Sequence, residues 1–480
     1  MRHVQNPQRE LGLPLLQDIP VPKDTRDDLP AVLLGFQLLW SDRGFRRAVF
    51  RILNKKILPT ADRRQGRPGM DLLSILILGI VKQAKHLDFD SLQELANEHK
   101  TLRRFLGHSG IWDERRYSLK ALEQNVNLLT PEILREISVP AVKRGRAILG
   151  IPDTDILFGA GDSYVAECDV HWPTDISLLR DAVRALMLWS NTWAKERRVP
   201  GTRESTKNIQ NLVSAFTRVR KEKCAIHVNV KSYLFLCSKR VKEHEKVVLA
   251  LKSAGAPRSR IEKLEHFMKC ARILMDQVKR RVLKGEKIPH AEKIFSVFEP
   301  HTRWISKGKA GKIAELGVPI HILAEQNGFI LVAMIGWEGV DKDFAVPLVE
   351  EAQENFSQLR YASFDRGYHS PANQEALAGM LDCIAMPKKG KMNEAERERQ
   401  SDPEFAMMAR WHSRVESHIN NLEQRGLDRV LSYGPDGFER MVNLSVLSLN
   451  VHLLGLKARE RIQEERKEEA RRKRDAKKAA

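Results

Sequence analysis

Three carboxylates stand where a chain could do phosphoryl chemistry. Asp162 falls inside a strand-like stretch, ILFGAGDSYVAECDVH at residues 156–171, after Gly159 and Gly161, whose missing side chains leave space beside the backbone. Asp365 follows a second strand-like run, RYASF, and stands before the turn residue Gly367 and the helix opener Ser370-Pro371. The carboxyl end of a strand is where open α/β sheets bind ligands. Glu416 lies in a helical pattern running from about Glu404 to Arg425, with Met408, Trp411, Val415, Ile419 and Leu422 as its apolar stripe. It borders that stripe, in line with His412 and Asn420 one turn away on either side. Carboxylates brought to one spot repel each other unless a cation compensates. Hard oxygen donors suit Mg2+ or Mn2+, and two such ions about 4 Å apart activate a water or hydroxyl and stabilise the oxygen leaving a phosphodiester. Each acid also has an ordinary reading. Glu167, Asp169 and Asp175 compete with Asp162, Asp365 could start a turn, and Glu416 could pair with Arg410 or His412 on the helix surface.

Acids this far apart in the chain meet only if a sheet and its helices bring them together. After Lys293, IFSVFEPHTRWISKGK is β-rich, and VPIHILAE and FILVAMIG flank Gln326-Asn327-Gly328 as a hairpin. A helix through AVPLVEEAQENF, the strand RYASF, a helix from Ser370-Pro371, the short strand LDCIAMP and the long helix of Glu416 follow. With the strand of Asp162 this makes a mixed α/β sheet split by one large helical insertion. Ahead of it the pattern is helical from Gly66. Helices are expected over Met70–Ala84, over Ser91–Lys100 with Ser91 and Glu94 at capping-box spacing, in TLRRFLGH with Arg103 and Arg104, and from Thr130-Pro131. These short helices read either as a helix-turn-helix DNA reader or as a plain bundle.

Charge narrows the partners. The 480-residue chain carries 81 Lys+Arg against 62 Asp+Glu, a formal +19. Residues 177–295 alone hold 28 basic and 11 acidic residues, a difference of +17, interleaved with apolar residues at helical spacing. Such a block reads as a phosphate-binding helical insertion, the alternative being a solvated face. Residues 457–480 carry 11 basic and 6 acidic residues and read as a frayed basic helix or a disordered tail. The longest apolar run, Leu72 to Val81, has 10 residues. A membrane span needs about 20, so no membrane partner is expected. The N-terminus lacks an apolar core before a small-residue cleavage site, so no secretory signal is expected. Five scattered cysteines without a CxxC pair point to a reducing cytosol and against disulfides or structural zinc.

Taken together, GDSYVAECDVHWPTDISLLRDAVRAL, SFDRGYHSP and RVESHINNLEQRGLDR resemble, in order, the three catalytic blocks of bacterial insertion-sequence transposases with a DDE domain, the group labelled ISNCY above all. GRPGMDLLSILILG through LRRFLGH resembles their N-terminal helical domain, and KGK at 307–309 fits as well. A related signature places Tyr, Arg and Lys around the Glu, where this chain has Ala409, His412 and Glu423. The insertion here falls between the two aspartates, not between the second aspartate and the Glu. The resemblance implies a ribonuclease H-like core with Asp162, Asp365 and Glu416 as the catalytic, metal-binding triad for two Mg2+ or Mn2+ ions. It implies double-stranded DNA as partner, both element ends and target, with terminal inverted repeats bound, 3′ ends hydrolysed and then joined to target DNA. It also implies a homodimer or larger assembly in the bacterial cytoplasm, at the nucleoid. The expected organisation is an N-terminal extension (1–65), a helical DNA-binding domain (66–150), a catalytic domain (151–176 and 296–456), a basic helical insertion (177–295) and a basic tail (457–480). Expected DNA contacts are Arg103, Arg104, Lys279, Arg280, Arg281, Lys307, Lys309, Arg366, Arg410, Arg414 and Arg425. A nuclease or resolvase on the same core, cutting without joining, and an inactive DNA-binding derivative are the rival readings.

Overall fold

The computed structural model describes residues 14–22, 25–57, 69–108, 115–201, 206–221, 223–306, 313–388 and 390–479. It divides into two compact units, residues 1–167 with 318–480, and residues 168–317. The first unit opens with α1 (Leu29–Ser41), α2 (Arg43–Ile57), α3 (Leu72–Ala84), α4 (Phe89–Glu98), α5 (Lys100–Phe105), α6 (Leu119–Val126) and α7 (Pro131–Ile148), then β1 (Leu157–Cys168). The second holds α8 (Asp175–Arg197), α9 (Thr206–Lys221), α10 (Ile226–Ser253), α11 (Arg258–Val278) and β2 (Arg303–Ile305). β3 (Glu315–Glu325) leads back to the first unit, with β4 (Ile330–Ile335), α12 (Ala345–Asn355), β5 (Leu359–Phe364), α13 (Pro371–Ala378), β6 (Cys383–Ala385), α14 (Glu394–Ser401), α15 (Pro403–His412), α16 (Arg414–Leu422), β7 (Arg429–Val430) and α17 (Gly434–Ala479).

The seven strands form one mixed sheet in the order β2-β3-β1-β5-β6, with β4 on β3 and β7 on β1. β1, β5 and β6 are parallel, whereas β2 and β4 run antiparallel to β3. The β3–β4 hairpin turns at Asn327-Gly328, with Gly328 at φ +95°, the left-handed conformation that favours glycine. Glu325, at the end of β3, is buried and accepts from Arg146 of α7 at 2.7 Å and from the Asn327 and Phe329 amides. A buried ion pair with its remaining lone pairs satisfied fixes the hairpin on α7.

The helices before β1 share one hydrophobic core with β4, β5, α12 and α17. α3 is buried on nearly every side, as its all-round apolar sequence requires. α17 holds an apolar window long enough to cross a membrane, but 83% of that window is buried by the protein itself. α1 and α17 cross at Gly35 and Gly455. A Cβ would lie 2.0 Å from the Val451 carbonyl oxygen at the first and 1.8 Å from that of Ala31 at the second.

Several expectations shift in detail. Asp88, not Ser91, caps α4, accepting from the Ser91 amide at 2.7 Å. Among the described residues, the β-rich reading of 294–306 reduces to β2, and 307–309 lie outside them. The expected helix from Glu404 to Arg425 is two helices that meet at Ser413, and α16 runs into a π-helical turn closed by Gly426 at φ +87°. The tail after residue 457 is helical through Ala479. Its Glu, Lys, Arg and Ala residues are strong helix formers, and Glu469–Lys473 pairs at i, i+4.

Candidate active site

The strand register sets the two aspartates. β1 pairs with β5 as Phe158↔Tyr361, Ala160↔Ser363 and Gly161↔Phe364, and Asp162 and Asp365 are the next residues of the two strands. They stand side by side where β5 stops. Alternation puts Phe158, Ala160 and Asp162 on one face of β1, with Tyr361 and Ser363 beside them on β5 and Asp365 just past its end. Gly161 and Phe364 face the other way. A Cβ on Gly161 would lie 2.2 Å from Phe364 Cε1, so the space left by this glycine is filled by the phenyl ring and is not open to a ligand.

The helix before that of Glu416, α15, packs on the face that bears the aspartates. Phe405 and Met408 of α15 pack on Ala385, Phe158 and Tyr361. His412 Nδ1 lies 3.2 Å from Ser363 Oγ, one row further along. Beyond the aspartate row, the charge of Glu423 acts on the buried hydroxyl of Tyr164 in β1, whose acidity burial above all suppresses. Glu416 is solvent-exposed in the first turn of α16, the helix that follows α15 after Ser413. Among the described residues, no three His, Cys, Asp or Glu side chains are gathered closely enough to hold a metal ion. The structure thus makes Asp162 and Asp365 neighbours and puts Glu416 in the helix after the one that packs on their face, without closing the three into a cage.

A fourth acid, missed in the sequence, belongs to this neighbourhood. Asp341, in the turn after β4, accepts from Ser163 Oγ at 2.9 Å, and the Ser163 amide donates to Asp162 Oδ1 at 2.7 Å. Gly367 gives it room, since a Cβ there would meet Asp341 Oδ2 at 2.9 Å. Tyr368 is buried beside it, with its hydroxyl 2.8 Å from His321 Nδ1. His321 stacks on Phe344 at 3.9 Å between ring centroids. Burial pushes the Tyr368 phenol well above its ordinary range, and the charges of Asp341, Asp162 and Asp365 push it further. Tyr368 therefore stays protonated and can donate. The motif VDKDF offered only a faint sign of Asp341, because a polar turn with two aspartates is common in loops.

The expected DNA contacts scatter. Arg366, Arg410, Arg414 and Lys279 are exposed. Arg103 is half-buried and donates to the Asn97 and Arg115 carbonyls, and Arg104 is half-buried too. Arg280 is enclosed by Asp276, Glu286 and Glu292, and Arg281 pairs with Asp175 at 2.8 Å, so acids neutralise both. Arg425 departs furthest from expectation: it is 7% exposed and donates to the Asn421 carbonyl and to His452 Nδ1. It serves the core. Lys307 and Lys309 lie outside the described residues.

Residues 286–451 match the family model described as the transposase DDE domain. Over these residues the chain carries a transposase DDE domain, the domain of insertion-sequence transposases. The match spans about a third of the chain and takes in Asp341, Asp365 and Glu416, while Asp162 lies ahead of it. No curated protein and no solved structure matches the chain. A DDE transposase domain acts on DNA as a polynucleotidyl transferase, and members of this class generally use divalent metal ions.

Proposed function

We propose that this transposase binds the terminal inverted repeats of an insertion sequence of the ISNCY kind, hydrolyses its 3′ ends and joins them to target DNA, with Asp162, Asp365 and Glu416 as the catalytic triad. The observation that supports the reading is the register of β1 and β5, which brings Asp162 beside Asp365 on the face packed by α15, the helix before that of Glu416. The strand order supports a ribonuclease H-like core, with β1 between the β3–β4 hairpin and parallel β5 and β6.

The donor set fits hard divalent cations. All its atoms are carboxylate oxygens, the Asp365 carboxylate caps no backbone amide, and Glu416 is exposed. Bound there, Mg2+ or Mn2+ ions, two per site, would supply charge compensation for the phosphodiester and a more acidic water or hydroxyl. The chain's own contribution is position. The Ser163 amide holds one Asp162 oxygen, Asp341 holds the Ser163 hydroxyl, and protonated Tyr368 adds no negative charge to the group. Exposed Arg366, Arg410 and Arg414 lie on the same chain segments as Asp365 and Glu416 and would contact DNA phosphates. Handling two element ends at once calls for a homodimer or larger assembly, and the substrate places the reaction at the bacterial nucleoid.

The test is an assay with a pre-cut terminal repeat and a supercoiled target plasmid. The wild-type chain should cut and join with Mg2+ or Mn2+. Asp162→Asn, Asp365→Asn and Glu416→Gln should each abolish both steps while DNA binding persists. Full activity in Asp365→Asn would overturn the site, and cutting without joining would make the chain a nuclease.

A further inference from the structure

The outward face of α10 has no role in the reading above. Val228, Lys231, Phe235, Lys239, Lys242, Lys246 and Leu249 follow one another at steps of three or four residues and so form one helical stripe. All seven are exposed, Phe235 at 74%, Val228 at 66% and Leu249 at 58%. The opposite side is the packed one: Val230, Tyr233, Cys237, Val241, His244 and Val248 are buried among α8, α9 and α11. The helix has two acids, Glu243 and Glu245, and they pair with Arg240 and Arg272 away from the stripe. Among the described residues, none of the four lysines has an ion-pair partner.

A solvated charged face has no use for a phenylalanine three-quarters exposed. Phe235 sits one turn from Lys231 and one turn from Lys239. From Lys231 to Lys246 the stripe runs about 22 Å, the axial length of some six base pairs. Its chemistry is a row of unpaired cations with one aromatic face between them. A second copy of the same stripe would be repelled. A lipid surface would want a continuous apolar face, and this one has three apolar residues separated by lysines. A nucleic acid strand offers both complements, phosphates for the lysines and the flat face of an unpaired base for the ring.

We infer that the outward face of α10 binds a DNA strand, with Lys231, Lys239, Lys242 and Lys246 on its phosphates and Phe235 stacked on an unpaired base. The inference rests on the reading of the chain as a DNA-acting transposase and adds the class of DNA it grips: a duplex opened or interrupted at one point. It also relocates the contacts of the basic insertion from Lys279–Arg281, where two of three charges are neutralised, to the face where four are not.

The test is fluorescence anisotropy of the full chain without divalent metal, on a 20-base-pair duplex and on the same duplex with two unpaired bases. Phe235→Ala should weaken binding to the interrupted duplex about 5- to 100-fold and leave the intact duplex unchanged, with Phe235→Tyr restoring the wild-type value. Lys239→Glu with Lys242→Glu should weaken both and flatten the slope of log K against log salt by about two. Wild-type affinity and slope in both variants would overturn the inference while leaving the proposed function standing. A wild-type chain that binds neither DNA would overturn both. Loss of binding to phosphatidylserine vesicles in these variants, with DNA binding intact, would reassign the stripe to a membrane surface and overturn the inference.

Discussion

Replacing Gly161 with alanine should displace the aspartates without touching either. The added Cβ would stand 2.2 Å from Phe364 Cε1 and 2.6 Å from Cδ1, where carbon atoms normally rest about 3.5–4.0 Å apart. Phe364 is 1% exposed, so its ring has no solvent to retreat into. Overpacking of this kind costs about 1–3 kcal/mol. Gly161 and Phe364 are register partners immediately before Asp162 and Asp365, so relief of the clash separates β1 from β5 at the row of the two aspartates. A misplacement of about 1 Å there can cost about 100-fold in rate. Phe364→Leu trims the offending edge and by itself costs about 1–2 kcal/mol through the space it leaves. Combined, the two changes should be less harmful than their sum by about 1–2 kcal/mol. Urea denaturation of the four proteins, with strand cleavage measured on each, reads both effects. Strict additivity, or a Gly161→Ala chain as stable and active as wild type, would refute the packing account of this glycine.

Other outcomes follow from the same geometry. Gly455→Ala meets the Ala31 carbonyl at 1.8 Å, and because backbone cannot step aside the chain should lose about 3 kcal/mol or more in a denaturant titration. Asp341→Asn should slow cleavage about 10- to 100-fold with DNA affinity unchanged, because it loosens Ser163 beside Asp162; unaltered cleavage would remove Asp341 from the site. His452 is pushed down to about 4, first by burial and then by the charge of Arg425. The unfolded chain therefore takes up a proton as pH falls through 6.5 while the folded chain does not until about 4, so this contribution is intact above 6.5 and is lost between those values. Urea midpoints from pH 7.5 to 4.5 should fall more steeply for wild type than for His452→Asn, and parallel curves would contradict the assignment.

Much of the site was legible because its signals are local. The strand of Asp162, the Asn-Gly hairpin, RYASF ending at Asp365 and the Ser370-Pro371 helix each follow from alternation, turn chemistry or capping, and each is where the sequence puts it. What escaped depends on partners far along the chain. Nothing in AMMARWHSRVESH marks a break at Ser413, since no Gly or Pro stands there; the bend shows only once α15 lies on β5 and β6. Gly161 looked like room for a ligand and proved to be room for Phe364. Arg281 and Arg425 read as free cations because the acid that pairs with the first, Asp175, and the core around the second are far away in sequence. Asp341 stayed hidden in a polar turn until the fold set it against Ser163 and Gly367.

The most direct test of the account is anomalous scattering from crystals of the chain grown with a terminal-repeat DNA end and Mn2+. Manganese bound between Asp162 and Asp365, with the Glu416 carboxylate drawn into the same group, is the predicted result. Manganese bound elsewhere, or a DNA end seated away from these strands, would contradict it.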